Sequence, residues 1–546
     1  VLILSDIVIK SNHIFTATEK RCIKGFIAID GNRITKIGRI EDAETYINGR
    51  TKVVNAADRM IVPGFIESHM HFYKDALVNA GKIKVVRGRS ENECVGNLVA
   101  EVEKSRMTYQ KGQWIVSKGW YLPEWENKVL PTRHSLDAVY PDNPVAMFAD
   151  DGHTMWVNSL ALAKLRIDKN SIPPKGGNFV RDEQGELTGV LEETGAMVYM
   201  KAICKQLESN IILDYEKLMQ KQASYGLTSF ADLALLAIDG DGLVYDEYYY
   251  ELFRQNRLLQ RVHMFPTLLM NADELIQKRK KYHFSQLRFS GGKQFYDGVT
   301  STHTAYLKEP YTNAYYPGDV GKLTVKKERM EQYVLNAAKH GIPVRIHTIG
   351  DAAIKLALDA FEKAINTYGP LENGHYCLEH LEVSDHADIE RMAKLGIVSS
   401  VQPSHPFLDM ASIEETVGAR RVRRMWAFKD MVDSGVTLAF GTDAPVVIDT
   451  TPLDNIYFAS TRKTLNGNPK GGWLPEQRIS VADAIIAHTK GASFAIGREN
   501  ELGTLAEGKL ADIAVLERDI LQCDPDKIAN TRVLLTLMDG KVTYKS

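Results

Sequence analysis

Val62-Pro63-Gly64-Phe65-Ile66-Glu67-Ser68-His69-Met70-His71 reads as a short buried strand, entered through a Pro-Gly turn and left through a His-x-His pair. Alternate side chains of a strand share a face. His69 and His71 therefore point the same way, about 7 Å apart by the rise per residue. Two imidazoles so placed can hold one metal ion; they can equally be two surface histidines at a strand end. The pair alone does not choose between these, so the rest of the chain has to supply or withhold further ligands.

Downstream of this stretch, apolar strand-like runs alternate with helical periodicity. The runs are Leu227–Asp232, Val262–Phe265, Phe289–Phe295, Val344–His347, Tyr376–His380, Ile397–Val401 and Thr437–Asp443, with helical patterns over Arg329–His340, Asp351–Thr367 and Ser384–Leu395. With the His69 strand as the first, eight strands alternating with helices predict an α/β chain built on a (β/α)8 TIM barrel, residues 61–71 and 227–495. Its active site belongs at the C-terminal ends of the strands.

Residues 72–226 exceed any ordinary strand-to-helix connection and predict an inserted subdomain over the barrel mouth. They carry Gly119-Trp120, Asp150-Asp151-Gly152-His153, Val157-Asn158-Ser159 and Gly189-Val190-Leu191-Glu192-Glu193. Residues 1–60 hold β-branched runs around the turn signal Asp30-Gly31-Asn32, and residues 496–546 have the same texture. The two ends predict one composite β-sandwich domain; two unrelated β extensions would read the same way.

Charge and composition narrow the function. The chain has 546 residues, 44% hydrophobic and 25% charged, with a formal net charge of −2. This is ordinary for a soluble globular protein, and it offers no basic field to nucleic acid or an anionic membrane. No apolar run is long enough to span a bilayer, and Val1–Leu4 lacks the basic flank of a leader. Five scattered cysteines without CxxC spacing predict free thiols in a reducing cytoplasm. The expected partner is a small-molecule substrate. A homodimer is compatible with such a barrel, and no surface feature specifies it.

Six residues fall at the predicted strand ends and are the types a two-metal hydrolytic site needs: His69, His71, Lys293, His347, His380 and Asp443. Imidazole and carboxylate suit Zn²⁺, and paired cations can activate water and polarise a carbonyl. Each residue also has a plainer use. Lys293 could make a salt bridge, although a lysine in an apolar strand is costly unless paired, and burial favours its neutral amine. A neutral amine can take up CO₂ as a carbamate, an anionic bridge between metals. His347 or His380 alone could be a hydrogen-bonded core histidine, and Asp443 a helix cap.

Taken together, the motifs resemble the amidohydrolase superfamily and, within it, the YtcJ-like branch (amidohydrolase family 3) that includes N-substituted formamide deformylases. The resemblance runs nearly end to end. It is carried by Pro63–His71, Gly152-His153 with Asn158-Ser159, Lys293 followed by Asp297-Gly298, His347–Asp351, Glu379-His380, Gln402–His405, Gly441–Pro445 and Leu502–Asp512. It implies two divalent metal ions, Zn²⁺ by preference. His69, His71 and Asp443 would hold the more buried ion, His347 and His380 the second, and a carboxylated Lys293 would bridge them.

Departures from the pattern are Glu67, where the superfamily often has Asp, and His303 after Asp297-Gly298, a candidate for tuning the substrate pocket. Glu193 matches a branch motif and could rival Lys293 as the bridge. His153, Trp120 and His405 are further pocket candidates, the first two of which could simply fold the insertion. The activity implied is hydrolysis of an amide-like C–N bond, with Asp443 as general base and then acid. The same site could serve a lactone, a phosphoester or ring deamination. A metal-free scaffold is the alternative from another class.

Overall fold

The computed structural model describes residues 5–105, 108–150, 152–235 and 242–546. Val1–Leu4, where the sequence predicts no leader, and Asp151 of the Asp150–His153 motif lie outside them. The chain divides into two compact units. One runs from the N-terminal residues to His71 and resumes over Met219–Ser546; the other is Phe72–Leu218.

In the first unit the chain ends meet in one seven-stranded sheet. Its order is Lys541–Lys545, Val533–Met538, Ile513–Leu516, Lys52–Pro63, Ile7–Phe15, Cys22–Asp30 and Arg33–Gly38. These strands, from both ends of the chain, form a single hydrogen-bonded sheet. The reason is the 12-residue strand Lys52–Pro63. It runs parallel to Ile7–Phe15 along its length and antiparallel to Ile513–Leu516 over Met60–Pro63, which joins the N- and C-terminal strands in one ladder. Inward residues Ile9, Ile27, Ile61, Ile513, Val515 and Leu537 pack together, drawn from both ends of the sequence.

Val62–His71 is not one strand. Val62 and Pro63 finish the terminal sheet, and Phe65–Met70 starts another. Gly64 stands at this break and packing there requires a glycine: a Cβ would lie 2.3 Å from Thr228 Oγ1. Phe65–Met70 is the edge of a four-stranded parallel sheet continuing through Leu227–Leu233, Arg261–Phe265 and Leu287–Phe289. A second parallel sheet of five strands runs Gly292–Phe295, Val344–Thr348, Cys377–His380, Val398–Val401 and Leu438–Phe440.

The run read as a single strand, Phe289–Phe295, is thus split between the sheets at Gly291. A Cβ at Gly291 would lie 2.5 Å from Pro343 O. Parallel bridges Thr267–Lys293 and Met70–Ala444 link the two sheets at their edges. Ile66, Leu233, Phe265, Cys377, Val398 and Ala439, from both sheets, form one apolar cluster. Helices Lys327–Lys339, Asp351–Tyr368 and His386–Leu395 lie close to where periodicity puts them.

The second unit has its own six-stranded mixed sheet, ordered Gly177–Arg181, Leu187–Glu193, Thr154–Val157, Val145–Ala149, Ile115–Trp120 and Ile83–Val85. Its core includes Ile115, Trp120, Trp125, Val145, Met147 and Trp156. Among the described residues no helix is long and apolar enough to cross a membrane.

Candidate metal centre

Parallel strands deliver side chains to one edge, and four histidines and one aspartate meet there. His69 ends one strand region with His71 just beyond it; His347 and His380 lie in the last two positions of their strands; Asp443 follows Leu438–Phe440. Ring centroids are 5.3 Å apart for His69 and His71, 4.9 Å for His69 and His380, and 4.4 Å for His347 and His380. Asp443 Oδ1 lies 3.0 Å from His71 Nε2 and 3.4 Å from His69 Nε2, and its Oδ2 lies 3.4 Å from His405 Nε2.

Within this cluster, two groups of ligand atoms among the described residues are compact enough to hold an ion: His69, His71 and Asp443, and His380, His405 and Asp443. His347 stands beside His380, with its Nε2 3.1 Å from Gly298 O. His405, read from sequence as a pocket residue, lies beside both Asp443 and His380, whereas the resemblance pairs His380 with His347 on the second ion.

Outer hydrogen bonds fix how these rings face. His71 Nδ1 is 2.8 Å from Leu233 O, a carbonyl that can only accept, so Nδ1 carries the proton. By the same logic His69 Nδ1 donates to Glu379 Oε2 at 2.6 Å and His380 Nδ1 to Gln402 Oε1 at 2.8 Å. Each ring thus has Nδ1 engaged in a hydrogen bond and turns Nε2 toward the cluster, the arrangement seen around metal-binding histidines. Burial keeps His71 and His380 neutral by lowering their pKa values.

Burial opposes ionisation of Asp443, but the His69, His405 and His71 rings hold its carboxyl well below the usual range. His71 Nε2 and His69 Nε2 both lie against this carboxylate. Asp443 Oδ1, His69 Nε2 and His405 Nε2 are buried with no aligned hydrogen-bond partner. Unsatisfied buried polar atoms are costly, and a cation among them removes that cost. The residues present therefore fit a divalent ion.

Strain is concentrated here too. His380 has φ 70° and Asp443 φ 59°, left-handed values that cost non-glycine residues about 1–3 kcal/mol each. Asp443 is held by its N–H to His69 O at 2.8 Å, and the next turn by Val446 N–H to Asp443 O at 2.7 Å.

Lys293 is fully buried, and its Nζ has no hydrogen-bond partner. Burial pushes its pKa down to about 8. This shift favours the neutral amine a carbamate needs, and among the described residues none makes the salt bridge that was the plainer reading.

The supporting charges carry no role in the sequence reading. Arg345 donates to Glu379 Oε1 at 2.6 Å, Ser68 O at 2.7 Å and Ser400 Oγ at 2.9 Å, and it is fully buried. Glu67 Oε1 accepts N–H groups of His69 and Thr442, both at 2.9 Å, which ties the first strand to the turn carrying Asp443. Burial pushes Glu67 up to about 8. Asp297, raised by burial to about 7, accepts N–H groups of Tyr306, Ile349 and Gly350 and fixes the turn after His347. One signal could have found them: charged residues inside apolar strands, the argument already applied to Lys293.

The remaining pocket candidates divide. His303 has φ 54°, bonds Asp319 Oδ2 at 2.8 Å and stacks between Tyr311 and Tyr315 at 4.1 and 3.9 Å. In the second unit His153 Nδ1 lies 3.0 Å from Glu193 Oε2. Trp120 is buried against Trp125 and Trp156 and donates to Met147 O at 2.8 Å. Its folding role is the one its surroundings display.

The amidohydrolase family model matches residues 52–544. Among curated relatives, protein LONG AFTER FAR-RED 3 of Arabidopsis thaliana is 28% identical over 99% of this chain and 92% of its own. YtcJ of Bacillus subtilis is 27% identical over 92% of each chain. The N-substituted formamide deformylase of Arthrobacter pascens is 25% identical over 99% of each. A crystal structure of an uncharacterized metal-dependent hydrolase from Pyrococcus horikoshii superposes with a TM-score of 0.74 at 24% identity, covering 95% of this chain and 99% of that one.

Proposed function

The chain belongs to the amidohydrolase family, and on that premise we propose that the strand-end cluster is a binuclear metal centre hydrolysing an amide-like C–N bond of a small molecule. The observation that carries this reading is the convergence of outward-locked imidazoles on an ionised carboxylate whose Oδ1 has no aligned donor. The relative named N-substituted formamide deformylase supports the C–N bond class.

His69, His71 and Asp443 would hold one cation. His380 would hold the second with His347, or with His405, which the geometry favours. Lys293 as its carbamate would bridge them. Bound divalent ions supply Lewis acidity toward a carbonyl and lower the pKa of water. Asp443 takes a proton from the attacking water at its carboxylate and returns it to the leaving nitrogen, so that amide and water become carboxylate and amine. Glu379, charged through Arg345, keeps His69 in the coordinating tautomer, and Glu67 holds the Asp443 turn in register.

The two parallel sheets, with Leu287–Phe289 and Gly292–Phe295 taken as the halves of one interrupted strand, are read as one closed eight-stranded barrel. The edge bridges at Lys293 and Ala444, with His71 N–H to Ala444 O at 2.8 Å, support closure. Five cysteines that pair with no partner sulfur support a reducing, cytoplasmic setting.

Metal analysis coupled to a panel of N-formyl, N-acyl and cyclic amides tests the reading. We expect two equivalents of metal in the strand-end cluster and metal-dependent release of amine. Turnover confined to lactones, phosphoesters or ring amines would replace the C–N assignment. Absence of both metal uptake and turnover would point to a scaffold.

A further inference from the structure

We propose that His13, Cys22 and Asp519 form a separate site in the terminal sheet for a borderline divalent ion such as Zn²⁺, clasping the N-terminal hairpin to the C-terminal strands. The three contribute an imidazole nitrogen, a thiol sulfur and a carboxylate oxygen, all within 4.8 Å of one another.

The fold brings them together for identifiable reasons. Strand Ile7–Phe15 shifts register against both neighbours between Ser11 and Ile14. Ser11 Oγ fills the bulge, accepting from His13 N–H at 2.9 Å and donating to Arg59 O at 2.6 Å. Bulges re-aim side chains. His13 pairs with Met60, and Met60 with Leu516, so Asp519 stands three residues beyond the same row. Cys22 begins the next strand, opposite Phe15.

Asp519 is poised toward this point. Its Oδ1 accepts Leu521 N–H at 2.9 Å. Its Oδ2 lies 2.9 Å from His13 Nδ1, yet it is buried with no aligned hydrogen-bond donor. The side chain is 8% exposed. Nitrogen, sulfur and oxygen together suit Zn²⁺ and its transition-metal neighbours, whereas Mg²⁺ and Ca²⁺ take oxygen sets. His13 and Cys22 are partly exposed, so solvent can fill the fourth position of a tetrahedron. Burial, with help from Asp519, pushes the Cys22 thiol up to about 12. Binding therefore breaks the S–H bond as the sulfur–metal bond forms, and it releases one proton to solvent.

Titration of the chelator-stripped full chain with Co²⁺, then Zn²⁺, tests the site. The strand-end cluster contains no cysteine, so a near-ultraviolet thiolate-to-cobalt charge-transfer band reports this site alone. The wild type is expected to show the band, saturating at one thiolate-bound Co²⁺ per chain and erased by Zn²⁺. Cys22→Ser should lose it entirely while still loading the histidine cluster, and Asp519→Asn should bind Co²⁺ at least about tenfold more weakly. Cys523→Ser should keep the band. No band in the wild type would mean a plain His13–Asp519 ion pair and would overturn the proposal, as would a band that survives Cys22→Ser or disappears in Cys523→Ser. Should Cys22→Ser fail to fold, the Asp519→Asn titration decides, and unchanged affinity rejects the site.

Discussion

Asp443 combines three properties that rarely coincide in a structural residue: a left-handed backbone, burial, and three imidazoles around an ionised carboxylate. Asn at this position keeps the shape and loses the base. Asp443→Asn should therefore lower kcat by about 10²–10⁴-fold or more while far-ultraviolet circular dichroism stays native. Wild-type turnover in that variant would exclude it as the proton carrier. Lys293 calls for a different measurement, because its proposed role is covalent. Incubation with ¹³C-bicarbonate should give a carbamate carbon resonance that Lys293→Met lacks, together with loss of metal from the variant. A fully active, metal-replete Lys293→Met enzyme would pass the bridging role to another carboxylate. Glu379 is the third residue whose loss should be felt twice. Glu379→Gln leaves Arg345 as a buried unpaired cation, a change that costs about 3–5 kcal/mol. It also frees the His69 tautomer, which should weaken metal binding about 10–100-fold. Urea melts and metal titrations would read the two effects separately.

At the scale of elements, Gly64 marks where one sheet hands the chain to another, and its requirement is steric. Gly64→Ala should destabilise the fold by about 1–3 kcal/mol, since the new Cβ would meet Thr228 Oγ1 at 2.3 Å and Cγ2 at 2.4 Å. Thr228→Ala removes both atoms but leaves a Cβ at 2.8 Å. The double variant should recover part of the loss, a positive coupling visible in a denaturation cycle; strict additivity would show that the packing reason is wrong. This position also shows what a sequence conceals. The alternation and helical periods located most strands and three helices because they report local burial. Val62–His71 nonetheless read as one strand, since the residue packed against the break, Thr228, is more than a hundred residues away. The split at Gly291, against Pro343, has the same origin. The strand-end positions of His69, His71, His380 and Asp443 were legible because a strand end is a local feature. Arg345, Glu67 and Gln402 stand on the same strands or just beyond them, but their roles depend on which atoms they face. The place His405 takes beside Asp443 likewise depends on side-chain geometry that no spacing encodes.

Across the whole molecule, a buried cation helps tie the terminal sheet to the parallel sheets. Arg261, on a parallel strand, donates to both oxygens of Asp512 at 2.9 Å and to Asp539 Oδ1 at 2.7 Å. Asp539 also accepts from Asn32 at 3.0 Å and Gln286 at 3.3 Å, so a single carboxylate gathers residues from the N-terminal hairpin, the parallel sheet region and the C-terminal turn. Burial alone would raise its pKa, but the Arg261 guanidinium holds it below the ordinary carboxylate value, which is about 3.9 in an unfolded chain. The unfolded state therefore takes up the proton first as pH falls. The stabilisation Asp539 provides is complete above about pH 4–5 and is lost as pH drops through its lowered folded value. Asp539→Asn should cost about 1.5–3 kcal/mol near neutral pH, the range for hydrogen bonds to charged groups. Its melting temperature should lie below the wild type's at neutral pH, and the gap should narrow steadily below about pH 4 as the wild type loses the same charge. A gap unchanged into strong acid would mean that Asp539 acts through shape alone, and the joint would then owe its stability to Asp512 and the packing around it.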